Sequence, residues 1–539
     1  MRKVELLAAL LAVSAVPVLA DAGDPPSRVA RLSYQNGTVS FRPETVDEWT
    51  AASLNYPLTT GDHLWADTGS QVEMHVGSTA IRMGSQTALA ILNLDDQMAQ
   101  ISLTQGVIEV RVRYLGDQEV LEIDTPNVAV SLLRPGDYRI DVDGDNEITM
   151  VTVRSGEADV SGGGAALTVH ARESARLGGV DPVSQEIGSA PPPDDFESWC
   201  EMRDRREDQS QSARYVSRET IGYEDLDQYG EWSEVAPYGW VWAPAGVEVG
   251  WAPYRYGHWA WVDPWGWTWI DDAPWGFAPF HYGRWAYAGA GWVWVPGAMA
   301  RPVYAPALVA FVGFGGVGMA ASFPLGPGEV YRPGPNVRYV NQGVVGAVTV
   351  VPRDAFVGAR PVSRTMVAAP REIMQAQVVG STAPLAPVRE SVLARPVGGA
   401  AVRTPPARVA DRAVFAKTAP PAPRVSRVEG LRPAGPGGRP AVRPAVVRGP
   451  GAGVARPERQ APAMAPERSD RSPAVRAPLP RSERPTTQDP AVRAPQARPA
   501  EQPRSERPAQ VQERKAETPK SERKGVGKTE KKEERKDIR

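Results

Sequence analysis

The residues in this chain best suited to chemistry are aromatic. Thirteen of the sixteen tryptophans in its 539 residues lie between Trp232 and Trp294. Trp240 and Trp242, Trp259 and Trp261, Trp267 and Trp269, and Trp292 and Trp294 are each two residues apart. On a strand such residues share a face, so each pair forms an aromatic ladder. Ladders set side by side, with Trp285, Tyr256 and Tyr282, would make a flat face suited to sugar rings, prolines or cationic groups. The competing reading is structural. One buried aromatic removes roughly 150–250 Å² from water, roughly 4–6 kcal/mol gross at about 25 cal/mol per Å². Several could hold a small module together without a ligand, and a mixture, one face inward and one outward, satisfies both readings.

Other reactive types are sparse. The histidines are His63, His75, His170, His258 and His281, and none lies at ligand spacing from another, so no metal site is expected. Asp141-Val-Asp-Gly-Asp-Asn-Glu147 has the acidity of a calcium loop, but its glycine comes too early and strand patterns flank it. It reads as a hairpin turn. Asp194-Asp195 and Asp271-Asp272 are adjacent carboxylates, and neither doublet makes a natural acid/base pair. Cys200 is the single cysteine, which excludes a disulfide within the chain and any cysteine-built metal site. It reads as a small half-buried side chain beside Trp199. With no nucleophile elbow and no phosphate loop, no catalytic residue, metal or cofactor is expected.

The elements that carry these residues are strands. Val72-Glu-Met-His-Val76, Ile108-Glu-Val-Arg-Val-Arg113 and Tyr138-Arg-Ile-Asp-Val142 alternate apolar and polar residues, the period of half-buried strands. Turn signals at Asn36-Gly37, Gly61-Asp62, Asp143-Gly144 and Gly162-Gly-Gly164 separate them. The fold class is mostly β, with a sandwich or roll over 29–178. Leu58-Thr-Thr-Gly-Asp62, Val76-Gly-Ser-Thr-Ala-Ile-Arg82, Leu103-Thr-Gln-Gly106, Thr125-Pro-Asn-Val-Ala-Val130, Arg134-Pro-Gly-Asp-Tyr-Arg139 and Val151-Thr-Val-Arg-Ser-Gly-Glu-Ala-Asp-Val160 follow in order. Together they resemble a FecR domain, the periplasmic module of iron-uptake sigma-factor regulators. The resemblance implies a fold. FecR-type regulators carry a cytoplasmic segment and a membrane span ahead of this module, and here a signal peptide stands in that place, so anti-sigma activity is not carried over.

A charged connector over 194–227, with a short helix around Phe196–Met202, leads into the repeats. Tyr229-Gly-Glu-Trp232, Tyr256-Gly-His-Trp259 and Tyr282-Gly-Arg-Trp285 recur at spacings of 27 and 26. Gly250–Trp259 aligns with Gly276–Trp285 across the same period. This block resembles a Trp/Tyr-rich domain of unknown function often found behind FecR domains, and is assigned with the following apolar segment to 228–351. Ala307–Phe323 is too short and glycine-rich for a membrane span and reads as a buried strand pair.

Charge and leader complete the reading. Residues 401–539 hold 32 Lys+Arg and 16 Asp+Glu, which leaves 29 basic and 47 acidic residues in 1–400. A basic tail, Pro/Arg/Ala-rich and expected to be disordered over 352–539, thus follows an acidic body. Arg2, Lys3 and the apolar stretch Leu6–Leu19 read as a signal peptide over 1–22, with no cysteine after it to take a lipid. The expected place is the periplasm or beyond, without a transmembrane span in the mature chain. The expected role is a non-catalytic binding or scaffold protein, meeting an envelope polyanion or glycan through the aromatic face and basic tail. The alternative is a FecR-like regulatory component working through a partner membrane protein. Nucleic acid is disfavoured, because beyond Phe415 the tail holds no aromatic on which bases could stack.

Overall fold

Alternation decides the N-terminal half. Val72, Met74 and Val76, Ile108, Val110 and Val112, and Tyr138, Ile140 and Val142 all point into one apolar core. The structure, a computed structural model, describes residues 24–444 except 290, 298–300, 314–317, 333, 335–336, 370–375, 395–400 and 424–441. The predicted leader 1–22 and the tail past 444 lie outside the described residues. Between Ala30 and Ser189, seventeen strands form two sheets that share the 15-residue strand Met98–Val112.

The first half of that strand pairs with Thr87–Leu94 on one side and, in parallel, with Val120–Asp124 on the other. Its second half pairs with Thr79–Met83 and Gly136–Asp143. The switch falls at Gly106, where φ is +93° and an added Cβ would sit 2.5 Å from Thr87 Cα. Glycine tolerates both the dihedral and the approach. The Asp141–Glu147 segment is the predicted hairpin turn between Gly136–Asp143 and Ile148–Ser155. The domain runs beyond the expected limit at 178, because Ser184–Ser189 adds an edge strand along Glu173–Gly178. That strand is exposed throughout and so carries no apolar alternation to read.

The polar faces of the central strands are not left to solvent. The segment expected as a connector forms a 14-residue helix, Asp195–Asp208, twice the predicted length. Asp194 caps it, its side chain accepting from Glu197 N at 2.9 Å. The helix lies over the charged side of the sheet and buries Cys200 completely rather than by half.

Each Tyr-Gly-x-Trp repeat opens a hairpin. Gly230–Val235 pairs with Gly239–Pro244, Gly257–Val262 with Gly266–Asp271, and Arg284–Ala288 with Gly291–Val295. In each, the motif tryptophan faces the last tryptophan of the second strand: Trp232 with Trp242, Trp259 with Trp269, Trp285 with Trp294. The motif glycine is set by that partner. A Cβ on Gly230, Gly257 or Gly283 would meet the facing Trp ring at 2.4 to 2.7 Å and a strand carbonyl at 2.2 to 2.3 Å. Tyr254 and Phe280, equivalent by the repeat alignment, meet edge-on at 5.0 Å.

Val309–Val312 and Met319–Pro324 form the predicted strand pair, extended by Thr349–Pro352 and Val378–Gly380 into a four-stranded sheet. The boundary expected at 352 falls inside the folded body. Phe356 stacks on Trp259, Trp267 Nε1 donates to Leu385 O, and Arg408 and Arg412 both bind Asp145. Farther on, Lys417 N and Thr418 N donate to buried Glu122. These residues plug gaps singly, so they leave no periodic trace among the Pro, Ala and Arg around them.

Candidate functional site

Of the eleven aromatic residues proposed as a ligand face, eight turn inward. Trp242, Trp259, Trp267, Trp269, Trp285, Trp292, Trp294 and Tyr282 are all buried. They form one cluster with Phe277, Phe280 and Phe311. Trp242 donates its indole N–H to Leu226 O, Trp267 to Leu385 O, Trp269 to Asp271 Oδ2 and Trp294 to Tyr282 O, while Trp285 Nε1 is buried without an acceptor. The module has few other large apolar residues, so tryptophan supplies its core. Trp261 and Tyr256 are half-buried. Trp240 is 48% exposed and stands with Tyr215 and Trp232, centroids 4.8 and 4.5 Å from the Tyr215 ring. The ligand face therefore shrinks to an aromatic platform around Trp240.

His258 and His281 are buried, His281 against Phe277 and Tyr304, and burial lowers both pKa values to about 4, so both rings are neutral at physiological pH. His281 Nδ1 donates to Ala305 O at 2.8 Å. Cys200 is pushed well above the usual thiol range by burial, then by Glu109, which makes it a poor nucleophile. Asp271 is buried beside the Trp269 indole and Asp272 lies on the next position, so the doublet does not converge.

The densest chemistry lies elsewhere, on the sheet face beneath the helix Asp195–Asp208. Register places Glu73, Arg82, Glu109 and Arg139 in one row across four adjacent strands, alternating in sign. Glu73 accepts from Arg82 Nε at 2.7 Å and from Arg203 Nε of the helix at 3.0 Å. Burial opposes its ionisation, but the Arg203 hydrogen bond and the Arg82 charge hold it well below the usual carboxylate range. Arg82 also reaches Asp204, and Arg139 reaches Asp194 and Glu197. His75 lies 3.3 Å from Glu207 and 4.0 Å from Glu224. Burial disfavours a charged ring there, yet the Glu207, Glu224 and Glu73 carboxylates outweigh it and raise its pKa.

The same network reaches the Trp module. Buried Arg31 pairs with Asp225 at 2.7 Å and donates to Pro274 O at 2.8 Å. Buried Asn55 accepts from Arg31 and donates to Asp271 O and Ala273 O. Removing either partner of such a buried pair strands a charge, so these contacts fix how the β domain, helix and module seat together.

One carboxylate in the row lacks a partner. Glu109 is 5% exposed and its Oε2 has no hydrogen bond, since both flanking arginines are turned to helix carboxylates. Burial, then the Glu197 charge, raises its pKa to about 8. It lines a cleft of ≈ 490 Å³ between sheet and helix, with Asp137, Arg154, Glu197, Glu201 and Arg205 among its walls. In the sequence these charges are only the polar half of half-buried strands, with nothing to say what covers them. The signal that could have revealed them was a charged, helix-forming segment following strands whose polar positions were charged throughout.

Comparison with known proteins agrees with this division. Residues 62–159 match the family described as FecR protein, and residues 223–329 match a family of unknown function, DUF6600. The chain thus contains a FecR domain and a DUF6600 domain, the latter spanning the three Trp hairpins. No curated protein matches. Two solved structures of a candidate anti-sigma factor from Parabacteroides distasonis are similar, at 13% and 12% identity with TM-scores of 0.22 and 0.23. They cover 24% and 26% of this chain, which spans 60% and 64% of theirs.

Proposed function

We propose that the chain is a non-catalytic envelope protein and the periplasmic component of a FecR-like regulatory system, acting through a partner membrane protein. The observation that carries this reading is the FecR match over 62–159, the part that contributes the shared central strand and the charged row. The FecR family consists of envelope-associated regulators. The leader read from the sequence fits export, and no helix among the described residues is long and apolar enough to cross a membrane.

Wall-glycan binding by an aromatic face loses its main support, because eight of the eleven residues it relied on are core. Of the eleven aromatic residues, Trp240 is the one left exposed for a partner, a half-exposed ring backed by packed rings as interface anchors are. The test is a photoreactive phenylalanine at position 240 of the full chain, irradiated in living cells. An adduct with an integral membrane protein is expected. Adducts with wall glycan only, or none, would contradict the reading.

A further inference from the structure

We infer that the cleft between the central sheet and the helix Asp195–Asp208 is a binding site for an organic cation, a guanidinium or ammonium group, with Glu109 as its counter-ion. The inference stands apart from the proposed function and would survive its failure.

Three observations converge. The cleft, ≈ 490 Å³, has the size of small-ligand sites. Its free charge is negative: Arg111 is tied to Asp137 and Arg154 to Glu197, while Arg205 stands at the exposed rim. Glu109 is 5% exposed, lines the cleft, and has a carboxylate oxygen with no hydrogen bond. Buried polar atoms in folded proteins are almost always satisfied, so an orphan oxygen on a residue that lines a cavity marks a missing partner. The row's other carboxylate, Glu73, has Arg82 and Arg203 bound to it.

The groups facing Glu109 explain why a cation suits it. Arg82 and Arg139 flank it across the strands: Arg82 gives Nε to Glu73 and Nη2 to Asp204 and keeps Nη1 without a hydrogen bond, Arg139 goes to Asp141, Asp194 and Glu197, and Asp137 lies on the next strand. Unliganded, the buried carboxyl holds its proton up to about pH 8. An arriving cation replaces that proton, which leaves to solvent, and forms a charge-assisted hydrogen bond. Affinity therefore rises roughly tenfold per pH unit up to about pH 8 and then levels off.

The test is isothermal titration of the full-length protein with two probes, agmatine and the peptide acetyl-Ala-Arg-Ala-amide. Acetyl-Ala-citrulline-Ala-amide is the uncharged control. Binding of agmatine identifies a small amine as the source; binding of the peptide alone identifies a protein side chain. Either way, Glu109→Gln is expected to weaken binding at least fivefold at pH 8, whereas Glu186→Gln on the exposed edge strand leaves it unchanged. A smaller loss in E109Q, equal binding of the citrulline peptide, or no binding at millimolar concentration overturns the proposal. Should E109Q lose its near-UV aromatic spectrum, the wild type decides. Binding heats at pH 7 in two buffers of different ionisation enthalpy must then show release of about one proton, and none released refutes the site.

Discussion

Gly257 shows how a rare motif arises from one steric demand. Its Cβ position lies 2.2 Å from Ile270 O and 2.7 Å from the Trp269 ring, so Gly257→Ala must push the strand pair apart. The expected cost is about 1–3 kcal/mol, read from chemical denaturation, while Gly239→Ala, with open space around its Cβ but φ at +76°, reports a dihedral cost that Gly257 does not carry. A second residue-scale prediction concerns His75. Its pKa is raised by Glu207 and Glu224, so its contribution is full below the ordinary value of 6.5 and is lost as pH rises through the folded value. Glu207, held low despite burial by His75, contributes above the ordinary 4.5 and loses that as pH falls. His75→Gln should therefore lower Tm most near pH 5.5 and least near pH 8.5; an equal deficit at both would exclude the ion pair as its cause. The repeat spacing made the glycines and tryptophans legible in the sequence. Their inward orientation was not, because a ladder of Trp two apart looks the same whether it faces core or solvent.

At the scale of elements, the helix Asp195–Asp208 is held by charge more than by apolar area. Glu73 pairs with both Arg82 and Arg203, both largely buried, and Arg82 has a second partner in Asp204. Glu73→Ala leaves Arg203 without its carboxylate and Arg82 with Asp204 alone, and is expected to cost about 3–5 kcal/mol. Arg134→Ala breaks a pair whose arginine is 69% exposed and is expected to cost about 0–1 kcal/mol. Urea denaturation of the two variants side by side checks the contrast. The strands themselves were readable, since Val72–Val76, Ile108–Arg113 and Tyr138–Val142 alternate cleanly and their apolar halves are core. What covers their polar halves was hidden. A helix that packs through Arg203, Asp204 and Glu207 has no apolar stripe by which periodicity could place it.

Across the whole body, the β domain and the Trp module share buried structure. Ala260, Val262 and Ile270 of the second hairpin belong to the β-domain core, and Val29 belongs to the aromatic core. Arg31 and Asn55 cross the same boundary with buried hydrogen bonds. Segments past 352 brace both: Phe356 sits against Trp259 and Trp267, and Phe415 N donates to Thr125 O. Order of domains could be read along the chain, whereas their fusion could not, because it rests on scattered single residues far apart in sequence. FecR domain, helix and Trp module are therefore expected to unfold as one cooperative body. The most direct test follows equilibrium urea unfolding by two signals at once. Trp fluorescence reports chiefly on 232–294, which holds thirteen of sixteen tryptophans, and far-UV circular dichroism reports on strands throughout. Coincident midpoints are the predicted result. Loss of the tryptophan signal at lower urea, with most of the strand signal intact, would show two independent domains and contradict the account.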